Sequence, residues 1–490
     1  MGKLKYLTKN IALFSISNFV SKILVFLLVP FYTNVLTTYE YGVADIIQVT
    51  LLLLVPMITL NIGEAALRFG VEEVKNRVGI FNVGIKYVVR ASLVVAFVCF
   101  ALRGSISFIP VIDPSKAEEI KWYLLLFVFL FAANALYEFL VLYFQGSELV
   151  ETVVLGSIAC TAATIAFNLL FLLGIKIGLN GYIYSQILAY AIASVLMIAI
   201  GKKRVEEIVK GVNIEGEISE SGVSGSLEDR MLEYSKPMIM YSTASWVNNA
   251  VDRYFVLYLC GAAVNGVYGV AYKIPAILMV FQRIFAQSWQ MSATKAHKDE
   301  DSEEFFSNMY KVYNSFMVLG CGFLVLIVKL LAGFLFRKEF FEAWKFVPPL
   351  LISVIFGALT GFLGSICLAH KDSKSMGKAT GIGALVNVIL NLLFIPTYQA
   401  MGAAVATGIS YFTMCMMALF FVRSHVKLKV SFIRNFISYI VLIIQSVITI
   451  SEPRGYVVYS LVLFVTLVVI YFKDFLEISK VFLSKIKREK

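Results

Sequence analysis

The sequence predicts an all-α integral membrane protein of about 14 transmembrane helices. Two parallel six-helix lobes are expected around a central cavity, with two further helices towards the C-terminus. Three observations predict this. The 490 residues are 59% hydrophobic and 15% charged, against about 45–50% and ~25% in soluble domains. Apolar runs of roughly 18 residues or more recur along the whole length. Two short sequences also return at nearly equal distances. YGVA begins at Tyr41 and again at Tyr268, 227 residues on; NLLF begins at Asn168 and again at Asn391, 223 residues on.

Taken in order, spans are expected at 10–31, 42–62, 80–102, 120–145, 150–173, 179–200, 236–259, 266–290, 311–336, 346–369, 378–396, 402–422, 434–450 and 456–472. A β-barrel would need short alternating segments instead. The first run follows Lys3, Lys5 and Lys9, continues past Pro30 and meets no small-residue cleavage site. It reads as a retained span rather than a signal peptide. The segment GEAALRFGVEEVKNRVG at 63–79 sets Ala66, Phe69 and Val74 against Glu72, Glu73, Lys75 and Arg77. It reads as a cytoplasmic interfacial helix, serving either to pack on the inner face or to gate. At 201–235, IEGEISESGVSGSLEDR is rich in Gly, Ser and Glu and reads as a flexible linker. The expected division is an N-lobe at 1–200, the linker at 201–235, a C-lobe at 236–422, the last helix pair at 423–472 and a basic tail at 473–490.

Orientation follows from Lys and Arg. With the N-terminus inside, 28 of the 43 fall in inner segments and 8 in outer loops, counting Lys121 at the mouth of its span. Both termini are therefore expected in the cytoplasm. The net charge of +11 is mostly this bias together with the tail, which suits anionic membrane lipids rather than nucleic acid. Six helices separate one copy of the repeat from the next, an even number, so the copies are parallel. Two such halves across a cavity is a known transporter plan.

Ionisable residues at mid-membrane cost roughly 2.5–3.5 kcal/mol on insertion scales, so each needs a reason. Lys22 lies halfway along the first span and follows Asn18; Asp252 and Arg253 lie deep in the seventh and follow Asn248 and Asn249. Lys273 precedes Pro275 in the eighth span. Adjacent residues point about 100° apart on a helix, so Asp252 and Arg253 cannot form a good side-chain pair with each other. Each must line a watered cavity or find a partner elsewhere. Cations converging on a cavity suit a polyanion, because Arg grips phosphate bidentately and Lys supplies a point charge. The candidate cavity residues are Lys22, Asp252, Arg253, Lys273, Asn18 and Asn249. Asp45 and Glu138 are candidates for ion coupling, able to carry H+ or hold Na+. Lys86, Arg90, Arg283 and Lys329 read as snorkelling. Asn168 and Asn391 read as hydrogen-bonding between helices.

No catalytic pattern emerges. GKAT at 377–380 lacks the spacing of a phosphate loop, and HExxH, GxSxG and paired CxxC do not occur. The six cysteines sit singly in or beside apolar runs, and the three histidines sit in short loops. No metal, no cofactor and no enzymatic activity is expected.

Four stretches resemble the polysaccharide transporter, or Wzx-type, oligosaccharide flippases of the multidrug/oligosaccharidyl-lipid/polysaccharide exporter superfamily. They are FLLVPFYTNVLTTYEYGVADI (26–46), LNIGEAALRFGVEE (60–73), VDRYFVLYLCGAAVNGVYGVAYKI (251–274) and NLLFIPTYQAMGAAVAT (391–407). The resemblance spans about 10–420 and implies alternating access around a cationic cavity. It implies a polyprenyl-pyrophosphate-linked oligosaccharide carried from the cytoplasmic to the outer leaflet, for O-antigen, capsule or exopolysaccharide. It also implies H+ or Na+ coupling, a bacterial inner membrane and other glycan-assembly membrane proteins as partners. By position, Lys22, Asp252, Arg253 and Lys273 match where such proteins place cavity charges. The alternatives are a cation-coupled multidrug exporter of the same superfamily, and a membrane-bound glycan polymerase or glycosyltransferase. The first needs acids where helices one and seven are predominantly basic; the second needs a larger outer loop than 103–119.

Overall fold

A computed structural model describes residues 26–105, 117–211, 226–296, 302–370 and 372–488. Every regular element among them is helical. The chain divides into two compact units, Met1–Leu36 with Val43–Trp246, and Thr37–Gly42 with Val247–Lys490.

In the first unit, α1 (Val29–Val35), α2 (Thr38–Ile58), α3 (Ile62–Glu72), α4 (Arg77–Ser105), α5 (Ala117–Gly146), α6 (Val150–Asn168) and α7 (Gly178–Gly211) follow in order. The first turn of α2 belongs to the second unit. The next helix, α8 (Leu227–Cys260), starts in the first unit and ends in the second. The second unit continues with α9 (Ala262–Ala271), α10 (Pro275–Ala296), α11 (Ser302–Leu326), α12 (Val328–Leu335), α13 (Val347–Ala369), α14 (Ser373–Val422), α15 (Phe432–Ser451) and α16 (Tyr456–Arg488).

Among the described residues nine helices are long and apolar enough to cross a membrane, ten counting α9 and α10 as one bent span. The expected span at 10–31 lies almost wholly outside the described residues. Two expected spans, 378–396 and 402–422, are arms of the 50-residue α14, which breaks at Gln399 (φ 50°). At ~1.5 Å per residue the unbroken helix would be about 75 Å long, over twice a ~30 Å hydrocarbon layer. The expected linker is shorter than its composition suggests. Helix α7 runs on to Gly211 with Val205 buried, and α8 begins at Leu227. Ser226 and Asp229 cap that start reciprocally, each accepting from the other's backbone amide. Arg230 pairs with Glu73, and Lys86 and Tyr87 donate to Glu228, which holds the Glu228 carboxyl below its usual range.

The interfacial segment also differs from expectation. Its helix stops at Glu72, Val74 is only half-buried, and Arg77 turns inward at 2% exposure. The guanidinium donates to the Gly70 carbonyl at 2.8 Å, satisfying an end-of-helix acceptor that would otherwise lie buried. The apolar face does pack: Ile62, Ala65, Ala66 and Phe69 join Phe131, Phe139, Tyr143 and Phe144 in the core of the first unit.

Aromatic stacking fills the second unit, with Trp289 on Phe362 at 4.2 Å and Phe285 on Tyr313 at 4.0 Å. Helices α15 and α16, outside the sequence repeat, attach to α11 through buried amides. Asn314 bonds Asn435 and the Tyr471 hydroxyl, and Gln445 donates to the Gly322 carbonyl. Polar groups are an effective glue where the surroundings are as apolar as the helices themselves. The first turn of α2 crosses α9 at two glycines. A Cβ on Gly42 would lie 1.8 Å from the Ala262 carbonyl oxygen, and one on Gly266 would lie 1.9 Å from that of Thr38. Asn265 then donates to the Gly42 carbonyl at 3.1 Å.

Candidate functional site

Two polar regions stand out, one inside each unit. In the second unit Asp252 projects from α8 and is 3% exposed. One carboxylate oxygen accepts from the Tyr268 hydroxyl at 2.6 Å, the Tyr272 hydroxyl at 2.5 Å and the Thr407 hydroxyl at 3.3 Å. The other accepts from the Arg253 backbone amide at 2.9 Å. Charge-assisted hydrogen bonds of this kind are what permit a carboxylate inside an apolar protein. The sequence places Asp252 on a cavity wall; the structure places it in the interior, because three hydroxyls converge there. Its neighbour behaves differently. The Arg253 guanidinium lies 4.4 Å from the centroid of the Tyr272 ring, a cation–π contact. Asp252 thus fixes the tyrosine on which Arg253 rests.

Asn249, one turn before Arg253, is exposed and accepts from the Tyr411 hydroxyl at 2.8 Å. Lys273 is half-buried in the break between α9 and α10, where the two axes bend by 49°. Pro275 opens α10 and cannot donate a backbone hydrogen bond, which is where such a bend belongs. The structure therefore gathers Asp252, Tyr268, Tyr272, Thr407 and Arg253, with Asn249 a turn away. Lys22 and Asn18 lie outside the described residues.

The first unit contains a cavity of about 350 Å³. Helices α2, α3, α4, α5, α7 and α8 line it, and Glu138 is exposed on its wall. Glu64, in the first turn of α3, is the other carboxylate of the lining, beside Gln48, Asn61 and Asn134. The turn into α3 places Leu60 and Asn61 in the left-handed region, at φ 56° and 52°, a strained arrangement for side-chain-bearing residues. Asn61 is held there by donating to the Ser242 hydroxyl at 3.0 Å. Asp45, the other coupling candidate, is half-buried nearer the N-terminal end of α2 and is not part of the lining.

Sequence reasoning missed the tyrosines and Glu64. Tyr268 and Tyr272 carry the i,i+4 spacing that puts two hydroxyls on one side, and Asn134 and Glu138 share that spacing. Glu64 read as one more charge on an amphipathic face. Asn168 and Asn391 bond within their own helices, to the Thr164 carbonyl and to Asn387, not between helices. Each reaches back one turn, a nearer partner than any neighbouring helix offers. Among the described residues no group of three or more His, Cys, Asp or Glu is placed to hold a metal.

The sequence profile of polysaccharide biosynthesis proteins matches residues 7–294. Over 223 residues the chain is 25% identical to the probable low-salt glycan biosynthesis flippase Agl15 of Haloferax volcanii, covering 43% of this chain and 46% of that one. Over 266 residues it is 23% identical to the uncharacterized membrane protein MJ1375 of Methanocaldococcus jannaschii, covering 53% and 62%. The chain thus spans about half the length of the curated relatives it matches. Among solved structures, the lipid II flippase MurJ in an inward closed conformation aligns with a TM-score of 0.61 at 17% identity, over 97% of this chain and 99% of that one. An inward-facing multidrug resistance MATE family transporter of the MOP superfamily aligns at 0.61 and 12%, over 82% and 94%. At these identities the likeness is one of fold.

Proposed function

The chain belongs to the polysaccharide biosynthesis protein family, and from that membership we propose that it is a flippase for a polyprenyl-pyrophosphate-linked oligosaccharide. The glycolipid enters from the cytoplasmic leaflet and leaves to the outer leaflet by alternating access. The observation that carries this reading is Arg253. Its guanidinium sits deep in an apolar helix, over a tyrosine locked by Asp252. An arginine fixed in this way is pre-organised for bidentate contact with a phosphate.

In this reading Arg253 grips the pyrophosphate, with Lys22 and Lys273 adding positive charge. Asn18, Asn249 and Tyr411 offer hydrogen bonds to sugar hydroxyls. The prenyl tail stays among membrane lipids. Rocking of the two units exposes the head group outward, driven by an H+ or Na+ gradient. The setting is a bacterial cytoplasmic membrane with both termini inside, and other glycan-assembly membrane proteins supply and use the lipid. O-antigen, capsule and exopolysaccharide are the product classes.

Mass spectrometry of lipids co-purifying from the native membrane tests this, with a Lys22→Ala, Arg253→Ala double variant alongside. A polyprenyl-pyrophosphate glycan held by the wild type and lost from the variant is expected. Its absence from the wild type, with saturable binding of organic cations instead, would move the assignment to a multidrug exporter.

A further inference from the structure

The second unit carries a groove of about 580 Å³ between the start of α15 and the end of the apolar stretch of α16. That volume falls within the ~300–1,000 Å³ usual for ligand sites. None of its lining residues belongs to α8 or α9, the helices that carry Asp252, Arg253 and Tyr268. Phe432, Ile433, Ile437 and Ile470 make its walls, and Ser431 and Arg434 are its polar members. Ile437 lies one turn and a half into α15, about 7.5 Å along the axis. Ile470 lies just short of Phe472, where the apolar stretch of α16 ends. The groove therefore starts at a membrane edge, where its polar members sit, and runs inward past Ile437. The Arg434 guanidinium lies 5.1 Å from the centroid of the Tyr471 ring. Asn314 donates to the Tyr471 hydroxyl at 3.0 Å, which fixes the ring on which this arginine rests.

A second, independent observation is charge. From Phe421 to Phe436 the chain holds Arg423, Lys427, Lys429 and Arg434 and no Asp or Glu. The Arg423 guanidinium lies 5.1 Å from the centroid of the Phe432 ring, itself a groove wall. Two arginines thus attend the opening. Glu303 of α11 reaches this loop, where it accepts from the Lys427 backbone amide at 3.1 Å. Among the described residues the groove lining contains no acid. The Ser431 hydroxyl makes no capping bond to α15, and the N–H groups of a first helical turn lack internal acceptors and attract anions.

We propose that this groove holds one anionic phospholipid. Its phosphate lies against Arg434, Arg423 and the first turn of α15, and one acyl chain runs along Ile437 and Ile470. Arginine grips phosphate bidentately, and anionic phospholipid is the partner that a membrane supplies at a basic edge. In the orientation proposed above this edge is cytoplasmic. The lipid is a fixed companion of the last helix pair rather than cargo, and the site stands whether or not the chain is a flippase.

Native mass spectrometry of the full-length protein in detergent tests this. The probes are dioleoyl phosphatidylglycerol and dioleoyl phosphatidylcholine, alike in acyl chains and added in equal amounts. Wild type, Arg434→Gln and Ile437→Trp are compared. Ile437→Trp fills the groove without touching a charge, and it carries the test alone should Arg434→Gln fold poorly. The wild type is expected to retain one phosphatidylglycerol with a preference of about fivefold over phosphatidylcholine. Arg434→Gln should lose that preference, and Ile437→Trp should lose the bound lipid. Equal retention of the two lipids by the wild type overturns the proposal, as does unchanged phosphatidylglycerol retention in either folded variant. Displacement of phosphatidylglycerol from the wild type by an equal amount of undecaprenyl phosphate also overturns it, because the groove would then belong to a prenyl lipid.

Discussion

The two polar regions use a carboxylate on an apolar helix in opposite ways. Asp252 is surrounded by donors: three hydroxyls and an amide occupy its two oxygens. Glu138 faces a cavity, and Asn134, the amide nearest it along the helix, makes no side-chain hydrogen bond among the described residues. A carboxylate given enough hydrogen bonds becomes part of the framework. One given space keeps its capacity for a ligand. The repeat makes the same point within one unit. Tyr41 and Tyr268 open identical tetrapeptides, yet Tyr41 packs edge-on to Phe340 at 5.5 Å while Tyr268 bonds Asp252. What faces the side chain, not the motif, decides its role.

The sharpest way to break this comparison is to remove each acid. Asp252→Ala strands the buried hydroxyls of Tyr268 and Tyr272 without their acceptor. It should destabilise the protein by about 3 kcal/mol, read as a large fall in the unfolding midpoint in detergent. Next in size is Gly266→Ala, whose new Cβ would collide with the Thr38 carbonyl; overpacking of this kind costs ~1–3 kcal/mol. Tyr272→Phe keeps the ring under Arg253 and removes one donor to Asp252. A loss of about 1 kcal/mol is expected, with lipid retention only partly reduced. Glu138→Gln should leave stability in choline chloride within ~0.5 kcal/mol of wild type. A midpoint shift as large as that of Asp252→Ala would show that Glu138 is framework too.

The smallest effect is expected at Asp372, in the short turn before α14. Hydrogen bonds from Ser375, then the contact with His425, lower its carboxyl to about 2. Because the folded value lies below the unfolded one of about 4, the stabilisation is present above pH ~4 and fades as pH falls through about 2. Asp372→Asn should therefore speed exchange of the Ser375 amide at pH 7. The wild type should show no such loosening down to pH 4.

Much of the fold was legible because lipid imposes one pattern on every span: about twenty apolar residues with internally bonded backbone. That pattern needs no knowledge of neighbours. The bend before α10 was foreshadowed by Pro275, and Arg253 stood out as a charge in an apolar run. The break at Gln399 was legible only as the gap between two runs. What stayed hidden depended on which helices meet. Nothing in the sequence says that Thr407, 155 residues from Asp252, reaches it. Nor does it say that Arg77 turns inward to cap α3, or that Glu64 joins Glu138.

The sequence by itself determined a multi-pass helical membrane protein, two repeated tetrapeptides at nearly equal distances and a short set of misplaced charges. Periodicity, length and charge are local quantities, and solvent preference alone sorts them. Tertiary structure decided which of those charges are satisfied and which face open space. Hydrogen bonding and burial are properties of neighbours brought together by packing, and packing settled that Asp252 is enclosed while Glu138 is not.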